Sequence, residues 1–174
     1  LAYVQAKAGA AELDFVGHSM GGMLLYAHLV RSQRAGRPSG IARAVTLASP
    51  VHLRWTGRME DGVKALSFLG GLANVLPLGY LTGLSLPLQG ALDTPADHFI
   101  YNVENVDPDL WRRFVAVGTS DAMPGPLVTQ MAGWLTRDAF DSRDGSIDYR
   151  EGLRTVTTPV LVVAARIDGI APPW

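Results

Sequence analysis

The chain has 174 residues, of which 48% are hydrophobic and 18% charged, enough for one domain with a hydrophobic core. The formal net charge is −1, so the chain lacks the basic surface that holds a phosphate backbone, and nucleic acid is not expected as a partner. There is no cysteine, which excludes disulfides, thiolate metal sites and a cysteine nucleophile. We favour a cytoplasmic location, although the lack of cysteine fits many exported proteins equally.

The first third of the chain predicts an alternation of helices and strands. A short helix is expected over Ala2–Ala11, followed by a strand over Leu13–Val16 in "ELDFVG". The next helix runs from Met20 to about Arg34, where "RAGRPSG" ends it, and a buried strand covers Ile41–Ala48. Apolar residues in that second helix recur at three- and four-residue spacing, at Met23, Leu24, Ala27 and Val30.

The strongest predicted strand, Pro159–Ala165, comes near the other end of the chain. Strand, helix and strand of these lengths predict parallel pairing. The long region before the last strand looks mostly helical. We therefore predict an α/β fold with a core of residues 1–50 and 156–174, and a cap inserted at residues 51–155.

Part of this predicted cap is an uncharged segment of 28 residues, between Lys64 and Asp93. Its length would permit a membrane span, but Pro77, Pro87 and five glycines argue against one continuous helix. Short helices packed on the core are one interpretation. An apolar lid over a pocket is another, and the two are compatible.

The stretch "GHSMGG" places Ser19 between a predicted strand and a predicted helix. On a tight turn of this kind, Gly17 and Gly21 would avoid collisions that side chains would cause, and Gly22 would let the helix start close to its neighbours. The turn would expose the Ser19 hydroxyl at a helix N-terminus, which favours developing negative charge. A glycine-rich turn with an incidental serine is the alternative. A dinucleotide-binding loop would need G-x-G-x-x-G, and the sequence lacks its second glycine.

"FVGHSMGG" resembles the nucleophile elbow of the α/β-hydrolase superfamily, in a variant of the motif that is common among lipases and esterases. "TPVLVVAARIDGIAPP" resembles the later strand of that fold, with Ala165, Asp168 and Pro172 in the glycine, acid and proline positions. "NVENVDPDLWRRF" and "FDSRDGSIDYREGLRTVTTPVL" are similar to cap and return segments of bacterial lipase-like members. The resemblance implies a partial α/β-hydrolase fold whose three strands are sheet neighbours, with an open edge at Leu13–Val16.

The resemblance also implies the site residues. Ser19 would be the nucleophile, His18 its neighbour in the elbow, and Asp168 the acid that orients a histidine base. The backbone N–H of Met20 would donate one hydrogen bond to the oxyanion. Members of the superfamily place the base after the next strand, so it is expected beyond Trp174. The second oxyanion donor is expected before Leu1, and both ends of the chain therefore look cut.

None of the four histidines is assigned as the base. His18 is interpreted as a packing residue, and His28 lies too far along the helix to reach Ser19. His98 lies in the predicted cap, and His52 is a candidate for lining the pocket, together with Leu76 and Leu81. "DSRDGSIDYRE" fails the EF-hand spacing and is interpreted as a solvated turn. No metal and no cofactor is expected.

These features lead to three hypotheses. The first is a serine hydrolase of carboxylic esters, acting on a small-molecule or lipid-like apolar substrate through an acyl-enzyme on Ser19. The second is an acyltransferase with the same triad. The third is a binding protein that keeps the fold without the chemistry. No transmembrane segment is expected, and the sequence does not give the oligomeric state.

Overall fold

The structure is a computed structural model that describes residues 1–53, 75–76, 102–118, 123–166, 168 and 170–171. The chain forms two compact units, one of Leu1–Leu53 with Asp138–Trp174 and the other of Arg54–Arg137. The first unit thus includes residues 138–155, which the sequence analysis assigned to the cap. A capping role for the second unit stays a prediction.

The helices and strands alternate in the first unit, as the sequence predicts, and the predicted helix from Met20 to Arg34 is confirmed at both ends. The strand before this helix ends at His18, two residues later than predicted, and the strand after it ends at Leu47, one residue earlier than predicted. In chain order the described elements are α1 (Ala2–Ala8), β1 (Leu13–His18), α2 (Met20–Arg34), β2 (Ile41–Leu47), β3 (Val75–Leu76), α3 (Pro108–Gly118), β4 (Met123–Pro124), α4 (Gly125–Arg137), α5 (Tyr149–Gly152) and β5 (Val160–Val163), with 3₁₀ turns at Val103–Asn105 and Leu153–Thr155.

The first unit is built on a parallel sheet with the strand order β1-β2-β5. Phe15, Ala44 and Val160 form one row across it. His18, Leu47 and Val163 form the last row, at the carboxyl ends of the strands. The prediction that the three strands are sheet neighbours is confirmed, with β1 at one edge and β5 at the other.

Helix α2 packs on one face of this sheet, and its buried side matches the predicted apolar positions only in part. Of the apolar residues at the predicted spacing, Met23 and Val30 are buried, whereas Leu24 is 64% exposed. Leu25, Tyr26 and Leu29 are buried as well. The reason is the start of the helix, where Gly22 lies directly against Ser49 after β2. That contact fixes the rotation of α2 and turns the side of the helix that carries Leu25, Tyr26 and Leu29 toward the sheet.

The core between α2 and the sheet contains Leu25, Leu29, Ile41 and Ala44, with Phe15, Val156 and Val160 packed against it. Burying one such leucine stabilises the fold by about 1.5–3 kcal/mol. A polar contact across this layer joins the Tyr26 hydroxyl and Thr46 Oγ1 at 2.7 Å. Behind the helix, the rings of Phe140 and Tyr149 lie 5.3 Å apart.

The other face of the sheet carries apolar side chains that are exposed. Val16, Leu161 and Val163 are 69%, 61% and 44% exposed, respectively. Val16 and Leu161 share a row with Val45 of β2. At the start of this face, Arg43 and Asp14 form an exposed ion pair at 3.0 Å.

The described part of the second unit contains two helices and a short antiparallel pair of β3 and β4. Helix α3 stacks Trp111 on Phe114 with ring centroids 5.6 Å apart. Helix α4 buries Val128, Ala132 and Trp134. Within the described residues, none of the helices has the length and apolar character needed to cross a membrane.

Candidate active site

Ser19 is the single residue between the end of β1 and the start of α2. Its φ of 51° and ψ of −120° lie in a region that residues with a side chain rarely adopt. The Ser19 N–H donates to the Leu47 carbonyl at 2.8 Å, and the Ser19 carbonyl accepts from the N–H groups of Gly22 and Met23 at 3.1 and 3.3 Å. The sheet on one side and the helix on the other thus hold the strained backbone.

The side chain of Ser19 is half-buried, and its hydroxyl does not cap α2. The next residue, Met20, contributes the first N–H of the helix, and the first N–H groups of a helix have no carbonyl partner within it. Together with the helix dipole, these groups favour negative charge beside Ser19. This is the environment that an oxyanion requires.

The glycines of the turn differ in the space around them. A Cβ at Gly17 would lie 2.7 Å from the Gly22 nitrogen, and a Cβ at Gly22 would lie 2.1 Å from Ser49 Oγ. At Gly21, however, apart from its chain neighbours and the backbone of its own helix, no heavy atom of the described residues lies within 4 Å of the added carbon. The predicted collision at Gly21 is therefore wrong, and Gly17 and Gly22 are the two positions where the turn requires glycine.

Asp168, the predicted acid, lies beyond the carboxyl end of β5 and is half-buried. Its Oδ1 accepts hydrogen bonds from the N–H groups of Ile170 and Ala171, at 2.9 and 2.8 Å. Ser19 follows β1 at the same edge of the sheet. One strand separates β1 from β5, so the two strand ends are about 10 Å apart.

The histidines near the sheet have separate surroundings. His18 is exposed, so its interpretation as a packing residue is wrong. His28 Nε2 lies 2.7 Å from the Ser39 carbonyl oxygen and ties α2 to the loop before β2. His98 and the predicted pocket residue Leu81 lie outside the described residues. Leu76 is in β3, where its backbone pairs with Met123.

His52 lies in a cluster that the sequence analysis missed. Its Nδ1 is 3.6 Å from Asp138 Oδ1, and the same carboxylate oxygen accepts from Arg150 Nη2 at 3.1 Å and from the Leu53 N–H at 3.4 Å. Arg150 Nε also donates to the Val51 carbonyl at 3.0 Å. The cluster joins residues 51–53, where the chain leaves the first unit, to Asp138, where it returns.

A groove of about 370 Å³ opens in the first unit on the α2 side of the sheet. Its lining is mostly apolar and includes Val51, Leu153, Val156, Val160 and Val162. Ser49 and Tyr26 contribute hydroxyl groups to it. His52 is not among the lining residues, and its predicted role in substrate binding stays a prediction.

The segment "DSRDGSIDYRE" forms a turn, as predicted. Asp144 Oδ1 accepts from the hydroxyls of Ser142 and Ser146, and the bond from Ser142 is the main cause that lowers the Asp144 pKa to about 2. The folded protein favours the charged form of Asp144. This carboxylate therefore stabilises the folded protein at pH values above its ordinary pKa of 3.8, and the contribution is lost as the pH falls toward 2. Among the described residues, no group of three His, Asp or Glu side chains could hold a metal ion.

No protein-family model and no curated protein sequence matches the chain significantly. Its structure is similar to the crystal structure of a mutant of CumD, a meta-cleavage product hydrolase, with a TM-score of 0.50 and 19% identical residues. The match covers 98% of this chain and 52% of the other, so the chain spans about half the length of that hydrolase. At this identity the likeness is evidence about the fold, and it supports the predicted partial α/β-hydrolase fold.

Proposed function

We propose that the chain carries the nucleophile of a serine hydrolase that cleaves carboxylic esters with apolar acyl groups. The main support for the proposal is the unusual backbone conformation of Ser19. A φ of 51° on a serine is unfavourable, and here it occurs at the single residue between a parallel strand and a helix N-terminus. This is the conformation that presents a nucleophile above a sheet in an elbow of the G-x-S-x-G type.

The reaction would have two steps. Ser19 Oγ attacks the acyl carbon of the ester while its proton passes to a histidine, and the alcohol leaves with that proton. Water then attacks the acyl-enzyme and releases the carboxylic acid, restoring the hydroxyl of Ser19. In both steps the Met20 N–H at the start of α2 stabilises the negative charge on the acyl oxygen.

Asp168 is proposed as the acid that orients the histidine. Its Oδ1 is occupied by two backbone N–H groups, and this arrangement fixes the carboxylate at the edge of the sheet. The proposal does not assign the base to any of the four histidines. His28 is already bound to the Ser39 carbonyl, and His52 lies beside Asp138.

The apolar substrate class is supported by the sequence of the predicted cap. The segment between Lys64 and Asp93 has no charged residue, and Leu76 and Leu81 belong to it. We propose that these leucines and His52 contact the substrate. The name of the structural neighbour, a meta-cleavage product hydrolase, is in keeping with hydrolysis.

The test uses the complete open reading frame that contains these residues. A fluorophosphonate probe should label the wild-type protein, and mass spectrometry of its peptides should locate the label on Ser19. Ser19→Ala should abolish the label and lower the hydrolysis of p-nitrophenyl butyrate by at least about a thousandfold. An unlabelled Ser19, or equal turnover by the Ser19→Ala variant, would reject the proposal.

The same protein separates the alternatives. An acyltransferase would form the acyl-enzyme on Ser19 but transfer the acyl group to an added alcohol in preference to water, which product analysis detects. A binding protein without the chemistry would bind the ester and leave Ser19 unlabelled.

A further inference from the structure

The carbonyl group of Leu47 is the point at which the sheet holds the candidate nucleophile. Leu47 ends β2 and pairs with His18 in the last row of the ladder. Its oxygen accepts the N–H of Ser19 at 2.8 Å. The orientation of this carbonyl therefore determines the position of the Ser19 N–H group, at the start of the strained turn.

The same oxygen accepts a second hydrogen bond, from Ser49 Oγ at 3.0 Å. Ser49 reaches back across two residues because Ala48 has a φ of 47°, an uncommon value for a residue with a side chain. Only 9% of Ser49 is exposed. Two adjacent strands are thus each followed by a residue with positive φ, and the hydroxyl of Ser49 bonds the carbonyl to which the first of these residues, Ser19, also donates.

Ser49 also contacts the other side of the elbow. A Cβ at Gly22 would lie 2.1 Å from Ser49 Oγ and 2.5 Å from Ser49 Cβ, so the first turn of α2 rests on this side chain. Ser49 therefore touches the strand side of the elbow through Leu47 and the helix side through Gly22. Ser19 lies between these two contacts.

We propose that Ser49 is a positioning residue for Ser19, acting through the Leu47 carbonyl and the first turn of α2. The inference rests on the proposed function of Ser19 as a nucleophile. Without the hydroxyl of Ser49, the Leu47 carbonyl can rotate and the elbow loses one of its two supports. A small displacement of Ser19 Oγ then slows attack on the acyl carbon and leaves substrate binding unchanged.

The test compares Ser49→Ala with Ser39→Ala in the complete open reading frame. Ser39 is a matched control because its hydroxyl also bonds a backbone carbonyl two residues away, that of Ile41 at 3.4 Å, at the opposite end of β2. We expect Ser49→Ala to lower kcat and the rate constant of fluorophosphonate labelling at Ser19 by about tenfold, with KM unchanged. Ser39→Ala should leave all three values as in the wild type.

A second readout follows the elbow without any reaction. The ratio of the hydrogen-exchange rates of the Ser19 and Ala44 amides cancels changes in overall stability, since Ala44 donates to Pro159 within the same sheet. This ratio should rise by about tenfold in Ser49→Ala and stay constant in Ser39→Ala. If Ser49→Ala does not fold, Ser49→Cys keeps a side chain with a weaker donor and should show a smaller change in the same direction.

The failure of this inference differs from the failure of the proposed function. If the wild-type protein is labelled at Ser19 and Ser49→Ala shows the wild-type labelling rate and exchange ratio, Ser49 is a packing residue only. If the wild-type Ser19 is not labelled, the proposed function fails, and Ser49 then has no catalytic nucleophile to position.

Discussion

Asp168 has two roles in the proposed site, as an acceptor of backbone hydrogen bonds and as a charge, and two substitutions separate them. Asp168→Asn keeps an oxygen that can accept the Ile170 and Ala171 N–H groups but removes the charge, whereas Asp168→Ala removes both. We expect both variants to lower kcat by about 10⁴-fold, because a neutral residue no longer stabilises the protonated histidine. Only Asp168→Ala should also lower the free energy of unfolding, by about 1–2 kcal/mol.

The measurements are ester hydrolysis and urea unfolding of the complete open reading frame. If Asp168→Asn hydrolyses esters at the wild-type rate, Asp168 is a residue of the turn and the acid lies elsewhere. If both variants lose stability equally, the amide does not replace the carboxylate in the turn.

At the residue scale, the sequence predicted the turn at Ser19 because glycine, serine and an apolar strand lie next to each other in the chain. It could not predict Ser49 or Asp138, because their partners are set by the fold. Asp138 meets Leu53 across 85 residues of chain. Ala48 and Asp138 both have positive φ, at 47° and 46°, and alanine in particular rarely adopts this conformation.

At the scale of elements, the contact between α2 and β2 predicts different outcomes for two adjacent glycines. Gly22→Ala would bring a Cβ within 2.1 Å of Ser49 Oγ and should destabilise the protein by about 1–3 kcal/mol. Gly21→Ala meets no described atom within 4 Å outside its chain neighbours and its own helix backbone. It should be neutral or stabilising by up to about 1 kcal/mol, because alanine favours a helix. Thermal or urea unfolding of the two variants measures the difference.

The two glycines serve as controls for each other, since both lie in the first turn of α2 and receive the same added methyl group. Equal destabilisation would mean that the helix start is not set by the contact with Ser49. A stable Gly22→Ala protein would mean that the Ser49 side chain can move away at little cost.

The periodic pattern of α2 predicted where the helix begins and ends, but not which side faces the sheet. Both Leu24 and Leu25 fit an apolar stripe, and the spacing alone does not choose between them. The close contact between Gly22 and Ser49, which leaves no room for a Cβ, favours the side that faces the sheet. The side of α2 that faces the sheet therefore depends on a tertiary contact and not on the local sequence pattern.

At the scale of the whole molecule, the connection between the units is the part that the sequence analysis placed differently. The prediction assigned residues 51–155 to the cap, because the long region between the second and third predicted strands looks mostly helical. The chain instead returns to the first unit at Asp138, where Arg150 and residues 51–53 converge. The parallel direction of the strands needed no such detail, because strand–helix–strand lengths already imply it, and the resemblance to α/β-hydrolases implied that the three strands are neighbours.

The exposed face of the sheet gives the last prediction. Val16, Leu161 and Val163 lie in its last two rows and are 44–69% exposed, and β1 and β5 leave both edges of the described sheet unpaired. Apolar surface beside an unpaired strand promotes association between chains. Residues 1–174 produced by themselves should therefore self-associate in a concentration-dependent manner, which light scattering coupled to gel filtration measures.

Two triple variants locate the cause of this association. Threonine at positions 16, 161 and 163 (Val16→Thr, Leu161→Thr and Val163→Thr) keeps the strand propensity and removes apolar surface from the sheet, so this variant should stay monomeric at concentrations where the wild-type chain associates. The control replaces three exposed side chains of α2 and α3 (Leu24→Gln, Leu110→Gln and Val117→Gln), which are 64%, 63% and 78% exposed. It should associate like the wild type, because these side chains lie on helices. A monomeric wild-type chain, or equal association of the threonine variant, would show that this face does not drive association.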